Sequence, residues 1–204
     1  MTEIPTGAPD ARPRPGRPAQ ISRERVVQAV ISAGNLETLT MRDLAARLGV
    51  SHAALYRWVK NRDELFKLVG EVMMERIVPA EAPPPRPGDD WRPRLARIAW
   101  AMHDEFLAVP GFATHTSRPH PHSAHSFGQL RGAVIAAFTN SGVAPDLAEQ
   151  SWYIFITTVV GWLAVQENPL ELGVGAPRFE LFLDALLRGL PAREPEPTAG
   201  AAGR

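Results

Sequence analysis

Residues 11–62 concentrate the side chains best suited to recognising an anion. Ten are basic (Arg12, Arg14, Arg17, Arg23, Arg25, Arg42, Arg47, Arg57, Lys60, Arg62), and only Glu24, Glu37 and Asp43 oppose them. The whole chain has no net charge, and residues 77–204 hold ten basic and thirteen acidic groups, so the positive excess is local. A basic segment joined to a mildly acidic remainder points to a polyanionic partner for the first part. Of the 22 basic residues in the chain only Lys60 and Lys67 are lysines. The planar fork of arginine suits bidentate contact with phosphate oxygens and guanine edges.

Other chemistry is sparse. The chain has no cysteine, which excludes disulfides and thiolate metal sites. His115, His120, His122 and His125 are spaced closely enough to hold zinc or nickel, but the intervening prolines favour a solvated loop, and neither a metal nor any other cofactor is expected. No nucleophile elbow, phosphate loop, His-Glu metal helix or dinucleotide fingerprint occurs, which argues against an enzyme. There is no signal-peptide pattern, and the longest apolar run, 152–165, is too short for the roughly 20 residues of a membrane span. These features lead us to expect a cytoplasmic protein with no membrane partner.

The elements that must position the basic residues read as helices throughout, and no strand pattern is found. Ser22, Thr40, Ser51 and Asn61 are each placed to cap a helix. The expected helices are 23–33, with Val26, Val27, Val30 and Ile31 as its stripe; a short one bearing Leu44, Ala45 and Leu48; a short one bearing Leu55 and Val59; and a longer one reaching Val78. Residues 1–20 and 191–204, rich in Pro, Gly, Ala and charge, are expected to be disordered, the first as a basic arm. The prolines from Pro79 onward mark residues 79–89 as a linker between a head (21–78) and a second domain (90–190). In that domain helices are expected over 90–108, 123–140, 145–165 and 177–187, with 113–122 as an irregular loop.

Residues 39–60 read as a helix-turn-helix. Two short helices meet at Gly49, Ala45 is small at their crossing, and Val50 plugs the turn. Such a pair cannot cover its own apolar side, so neighbouring helices must bury it and leave the second helix free for a major groove. Residues 22–76 resemble the DNA-binding domain of the TetR family of repressors. The match is strongest in Leu-Thr-Met-Arg-Asp-Leu-Ala at 39–45 and Leu-Tyr-Arg-Trp-Val-Lys-Asn-Arg-Asp-Glu-Leu at 55–65. The resemblance implies an all-α fold, in which a three-helix head is joined by a fourth helix to a helical ligand-binding and dimerisation domain.

The same resemblance assigns phosphate contacts to Tyr56 and Lys60. Thr40 and Arg42 open the second helix, where a hydroxyl, backbone N–H groups and a guanidinium can hold another phosphate. Ser51, His52, Ala53, Ala54 and Arg57 belong to the recognition helix; Arg57 suits a guanine edge, and the alanine methyls suit thymine methyls. Trp58 either meets phosphate or packs. Arg14 and Arg17, within Arg-Pro-Gly-Arg-Pro, form either a minor-groove hook or loose phosphate contacts. The expected partners are a double-stranded, palindromic operator and a second copy of the chain.

The helix at 145–165 is apolar nearly all round. Its Trp152, Phe155, Ile156, Val159 and Leu163 face suits its own domain. The narrower face of Ile154, Thr158, Gly161 and Val165 suits a second subunit, with the last helix completing a four-helix interface. An aromatic excess predicts an apolar effector pocket lined by Trp100, Phe106, Leu107, Phe112, Phe127, Leu130, Trp152, Phe155, Ile156 and Val159, with His103 as its polar handle. The function expected is a repressor released from its operator by a small, mostly apolar effector. An architectural DNA binder without an effector is the alternative.

Overall fold

The computed structural model of the protein describes residues 21–79, 84–118, 124–169 and 178–194, all of them helix, turn or loop. Among these residues the helices are α1 (Arg23–Ile31), α2 (Met41–Leu48), α3 (His52–Tyr56), α4 (Arg62–Ile77), α5 (Trp91–Leu107), α6 (Phe112–Thr116), α7 (Ala124–Asn140), α8 (Pro145–Glu167) and α9 (Phe179–Gly189). The arm with Arg14 and Arg17, and also His120 and His122, lie outside the described residues.

Each head helix starts where a side-chain oxygen takes one of its orphan N–H groups. Ser22, Thr40, Ser51 and Asn61 accept from the N–H of Arg25, Asp43, Ala54 and Glu64. Asp43 also reaches back to the Thr40 N–H, which completes a capping box. Gly49 ends α2 at φ +66°, a left-handed conformation that suits glycine, and the chain turns there into α3. Val26, Val27, Val30, Leu44, Leu55, Val59, Leu65 and Val69 are each at most 1% exposed and form the shared core of α1–α4. Burying each such side chain contributes about 1.5–3 kcal/mol.

α4 is common to both parts of the molecule. It packs on α1 in the head and on α5 and α7 in the body. Arg23 pairs with Glu71 and Glu75, and Arg76 with Glu105, across these seams. The body core is built from Leu95, Ala99, Met102, Phe106, Val134, Phe138, Ala148, Phe155, Val159 and Leu163. In α8, the hydroxyls of Ser151, Thr157 and Thr158 donate to carbonyls four residues back, so these polar groups do not interrupt an otherwise apolar helix. No described helix is long and apolar enough to cross a membrane.

The segment expected as an irregular loop after residue 112 begins instead as α6. Gly111, at φ +92°, turns the chain out of α5, and α6 takes its N-terminal cap from a distant residue rather than a local one. Glu167, at the end of α8, accepts from the N–H groups of Gly111 (2.8 Å), Ala113 (3.3 Å) and Thr114 (2.8 Å), and from the Thr114 hydroxyl (2.6 Å). Asn168 Nδ2 donates to that hydroxyl as well, at 2.7 Å.

Candidate DNA-binding face and effector cavity

The head presents one solvent-facing surface from α2, α3 and the turn that follows. Thr40, Arg42, Ser51, His52, Ala53, Tyr56, Arg57, Trp58 and Lys60 are exposed on it, and Ala54 is half-buried. Tyr56 and Trp58 are 40% and 48% exposed, a large apolar area to leave uncovered beside cations. The His52 and Tyr56 rings meet edge to face with centroids 4.5 Å apart.

α3 is only five residues long. Arg57 is its C-terminal cap, and the N–H groups of Trp58 and Val59 both return to the Leu55 carbonyl. Trp58 and Lys60 therefore sit on a turn rather than on the recognition helix, because the chain must reverse before Asn61 can cap α4.

Hydrogen bonding divides the basic residues into two groups. Arg62 donates to the carbonyls of Leu36 (2.7 Å), Glu37 (2.5 Å) and Leu39 (2.9 Å), which fixes the α1–α2 connection. Arg25 and Arg47 donate to the carbonyls of Leu48 and Ser32. Arg42, Arg57 and Lys60 have no side-chain hydrogen bond or ion pair among the described residues. Local sequence gives no sign that Arg62 reaches back to residues 36–39. The Thr40 hydroxyl, expected at a phosphate, donates to Asp43 Oδ2 at 2.5 Å. That bond and the Thr40 N–H hold the Asp43 carboxyl below the ordinary aspartate range.

In the body a cavity of about 390 Å³ lies among α4, α5, α6, α7 and α8. Phe106, Phe112, Phe127, Leu130, Trp152 and Ile156, named in the sequence reading, are among the residues that line it. Trp100, His103, Leu107, Phe155 and Val159 do not. Phe155 and Val159 are fully buried in the core, while Trp100 and Leu107 are 39% and 46% exposed. His103 packs on Phe179 and Trp100, at 4.5 and 5.1 Å, and faces α9. The physical reason is a choice of stripe on α5: Met102 and Phe106 turn to the cavity, and residues 100, 103 and 107 occupy another face.

The sequence reading missed the contributions of α4 and α6 to the cavity wall. α4 supplies Asp63, Phe66, Lys67, Gly70 and Met74, and α6 supplies His115 and Thr116. The His115 ring lies parallel to Phe66 with centroids 3.5 Å apart, so it belongs to the cavity wall rather than to a solvated loop. Gly161, expected at a subunit contact, also lines the cavity. Among the described residues no three His, Asp or Glu side chains cluster as a metal site.

The cavity wall also touches the head. Leu36 N–H donates to the Pro110 carbonyl at 2.9 Å, which joins the α1–α2 connection to the turn before α6. A Cβ on Gly111 would lie 2.9 Å from Glu37 Cγ, so only glycine allows that approach. Arg118 pairs with Glu37 at 3.5 Å across the same seam.

Comparison with known proteins agrees with this architecture. Residues 28–69 match the family model described as bacterial regulatory proteins, tetR family. The chain is 33% identical over 140 residues to the tetracycline repressor protein class C of Escherichia coli, covering 66% of this chain and 63% of that protein. It spans less than two thirds of the length of the curated relatives it matches. The Streptomyces coelicolor TetR family protein ActR, solved in complex with actinorhodin, aligns with a TM-score of 0.60 at 26% identity, over 73% of this chain and 69% of that one. BioQ, solved with its double-stranded DNA operator, aligns with a TM-score of 0.60 at 22% identity, over 85% of this chain and all of BioQ. With its helix-turn-helix head, its linking α4 and its helical body, the chain is similar to the TetR family of bacterial regulatory proteins, whose family model its residues 28–69 match.

Proposed function

We propose that the protein is a ligand-responsive, DNA-binding transcriptional regulator, a repressor that leaves a palindromic operator when a small, mostly apolar effector fills the body cavity. The carrying observation is the double role of α4. Arg62, at its first turn, clamps residues 36–39 of the head, and one turn on Phe66 and Lys67 form a wall of the cavity. A ligand that prefers a shifted α4 weakens DNA binding by the same free energy with which DNA weakens the ligand. Coupling of about 1–3 kcal/mol changes operator affinity about 5- to 150-fold. The free cations Arg42, Arg57 and Lys60, with exposed Tyr56 and Trp58, support the DNA contact. BioQ's operator complex and ActR's complex with actinorhodin support the two ligand types. The 390 Å³ cavity counts against an effector-independent architectural protein.

The dimer follows from a second surface. Tyr153 and Ile154 on α8 and Leu181 on α9 are 65%, 40% and 57% exposed. Two copies joined through these helices would set two recognition helices on one DNA face, about 34–36 Å apart or a similar whole-turn spacing. The test is selection of duplexes from a random pool by the full chain at low salt. An inverted repeat with that spacing is expected; a pool with no enriched sequence rejects the reading.

A further inference from the structure

Residues 35–37, in the connection that leads into α2, are gripped from two sides. Arg62 of α4 takes the carbonyls of Leu36, Glu37 and Leu39. The turn before α6 holds the other side, where the Leu36 N–H donates to the Pro110 carbonyl at 2.9 Å. Leu36 is 1% exposed, so both of its backbone bonds are shielded from water. The connection is itself stiffened, because Asn35 Oδ1 accepts from the Glu37 N–H at 2.7 Å. Gly111 lies against it so closely that a Cβ there would stand 2.9 Å from Glu37 Cγ, 3.1 Å from Asn35 Oδ1 and 3.3 Å from the Glu37 nitrogen. Arg118 pairs with Glu37 over the same contact.

The same turn is tied to α8. Glu167 accepts from the N–H groups of Gly111, Ala113 and Thr114, and α6 packs along α8. α8 carries exposed Tyr153 and Ile154, the surface assigned above to the second copy. A continuous series of contacts therefore runs from that surface, through Glu167 and Gly111, to residues 35–37 and on to α2 and α3. It runs beside α4 rather than through it. A head attached by one helix alone would tilt and twist against its body, and a second attachment removes that freedom.

Half-site spacing is where such rigidity acts. One added base pair moves a half-site by about 3.4 Å and turns it by about 35°. On the reading that two copies bind an inverted repeat, we infer that Gly111 and Glu37 form a spacing ruler. They are positioning residues that act through α2 and α3, fix the angle and distance between the two recognition helices, and so decide which operator spacing the dimer accepts.

The test uses the full chain and the duplex it selects. Anisotropy is read at the selected spacing, with one base pair added, with one removed, and on a duplex holding a single half-site. Wild type should lose about tenfold or more in affinity on either change of spacing, because the second head can no longer engage. Gly111→Ala, which drives Glu37 off the turn, should lose less than about threefold and keep its single-half-site affinity and base preference. Glu37→Arg, set against Arg118, should relax spacing in the same way without altering the turn, and adding Arg118→Glu should restore the penalty. Circular dichroism checks folding; where Gly111→Ala fails it, the Glu37→Arg pair carries the test. A full spacing penalty in the folded variants overturns the proposal, and so does an equal loss on every duplex, which marks a head merely destabilised. A wild type indifferent to spacing overturns the ruler and leaves the operator reading standing. Selection of no inverted repeat removes the operator reading and the ruler with it.

Discussion

Removing the Glu167 carboxylate should loosen α6, and the structure sets the size of the effect. One carboxylate caps three backbone N–H groups and the Thr114 hydroxyl, at 2.6–3.3 Å. Gly111, Ala113 and Thr114 are themselves buried, so in Glu167→Ala water cannot readily replace the acceptor. Loss of an N-terminal cap costs about 0.5–2 kcal/mol and a stranded buried donor about 1–3 kcal/mol. These costs overlap, and the expected total is about 2–4 kcal/mol. For a chain of this size that lowers Tm by about 5–15 °C. Glu167→Gln keeps an acceptor oxygen but loses the charge, so it should fall about halfway between. Thermal melts by circular dichroism, repeated in guanidinium, read the difference. An unchanged Tm for Glu167→Ala would refute the claim that α8 holds α6 in place.

Further predictions address the head and the interface. Leu55→Ala, at a fully buried position shared by α3 and its neighbours, should cost about 2–5 kcal/mol in a denaturant melt. Asp43, whose carboxyl is held low by Thr40, stabilises the head above the ordinary aspartate range. That contribution fades as pH falls through the lowered value, and Asp43→Asn should remove this acid limb from the stability–pH curve. Leu181→Glu should give monomers by light scattering, with weakened binding to a palindrome but retained helicity. Gly161→Trp should fill the cavity rather than split the dimer, so it should remove ligand binding and leave the mass unchanged.

The head was legible in the sequence because each of its instructions is local. Ser22, Thr40, Ser51 and Asn61 sit immediately before the helices they cap, and Gly49 marks its own turn. The body was legible only as helices. Which stripe of α5 faces inward depends on how α9 and α8 cover it, so Trp100 and His103 were assigned to a cavity that Met102 and Phe106 line. α6 was hidden because its cap comes from Glu167, 55 residues beyond Phe112, and Pro-Gly at 110–111 reads equally as the end of one helix or the approach to another. Arg62 was counted among the cations available to DNA, although the fold spends it on three carbonyls.

On the proposed function, the exposed cationic face of α2, α3 and the following turn binds DNA. Fluorescence anisotropy of a selected duplex, titrated with wild type, Arg57→Ala and Lys60→Ala across a salt series, tests it most directly. Affinity should fall steeply with salt. Lys60→Ala should weaken all sequences alike and reduce the slope by about one. Arg57→Ala should cost about 1–3 kcal/mol and relax preference at one base position. Wild-type affinity in both variants, with an unchanged salt slope, would show that DNA binds elsewhere.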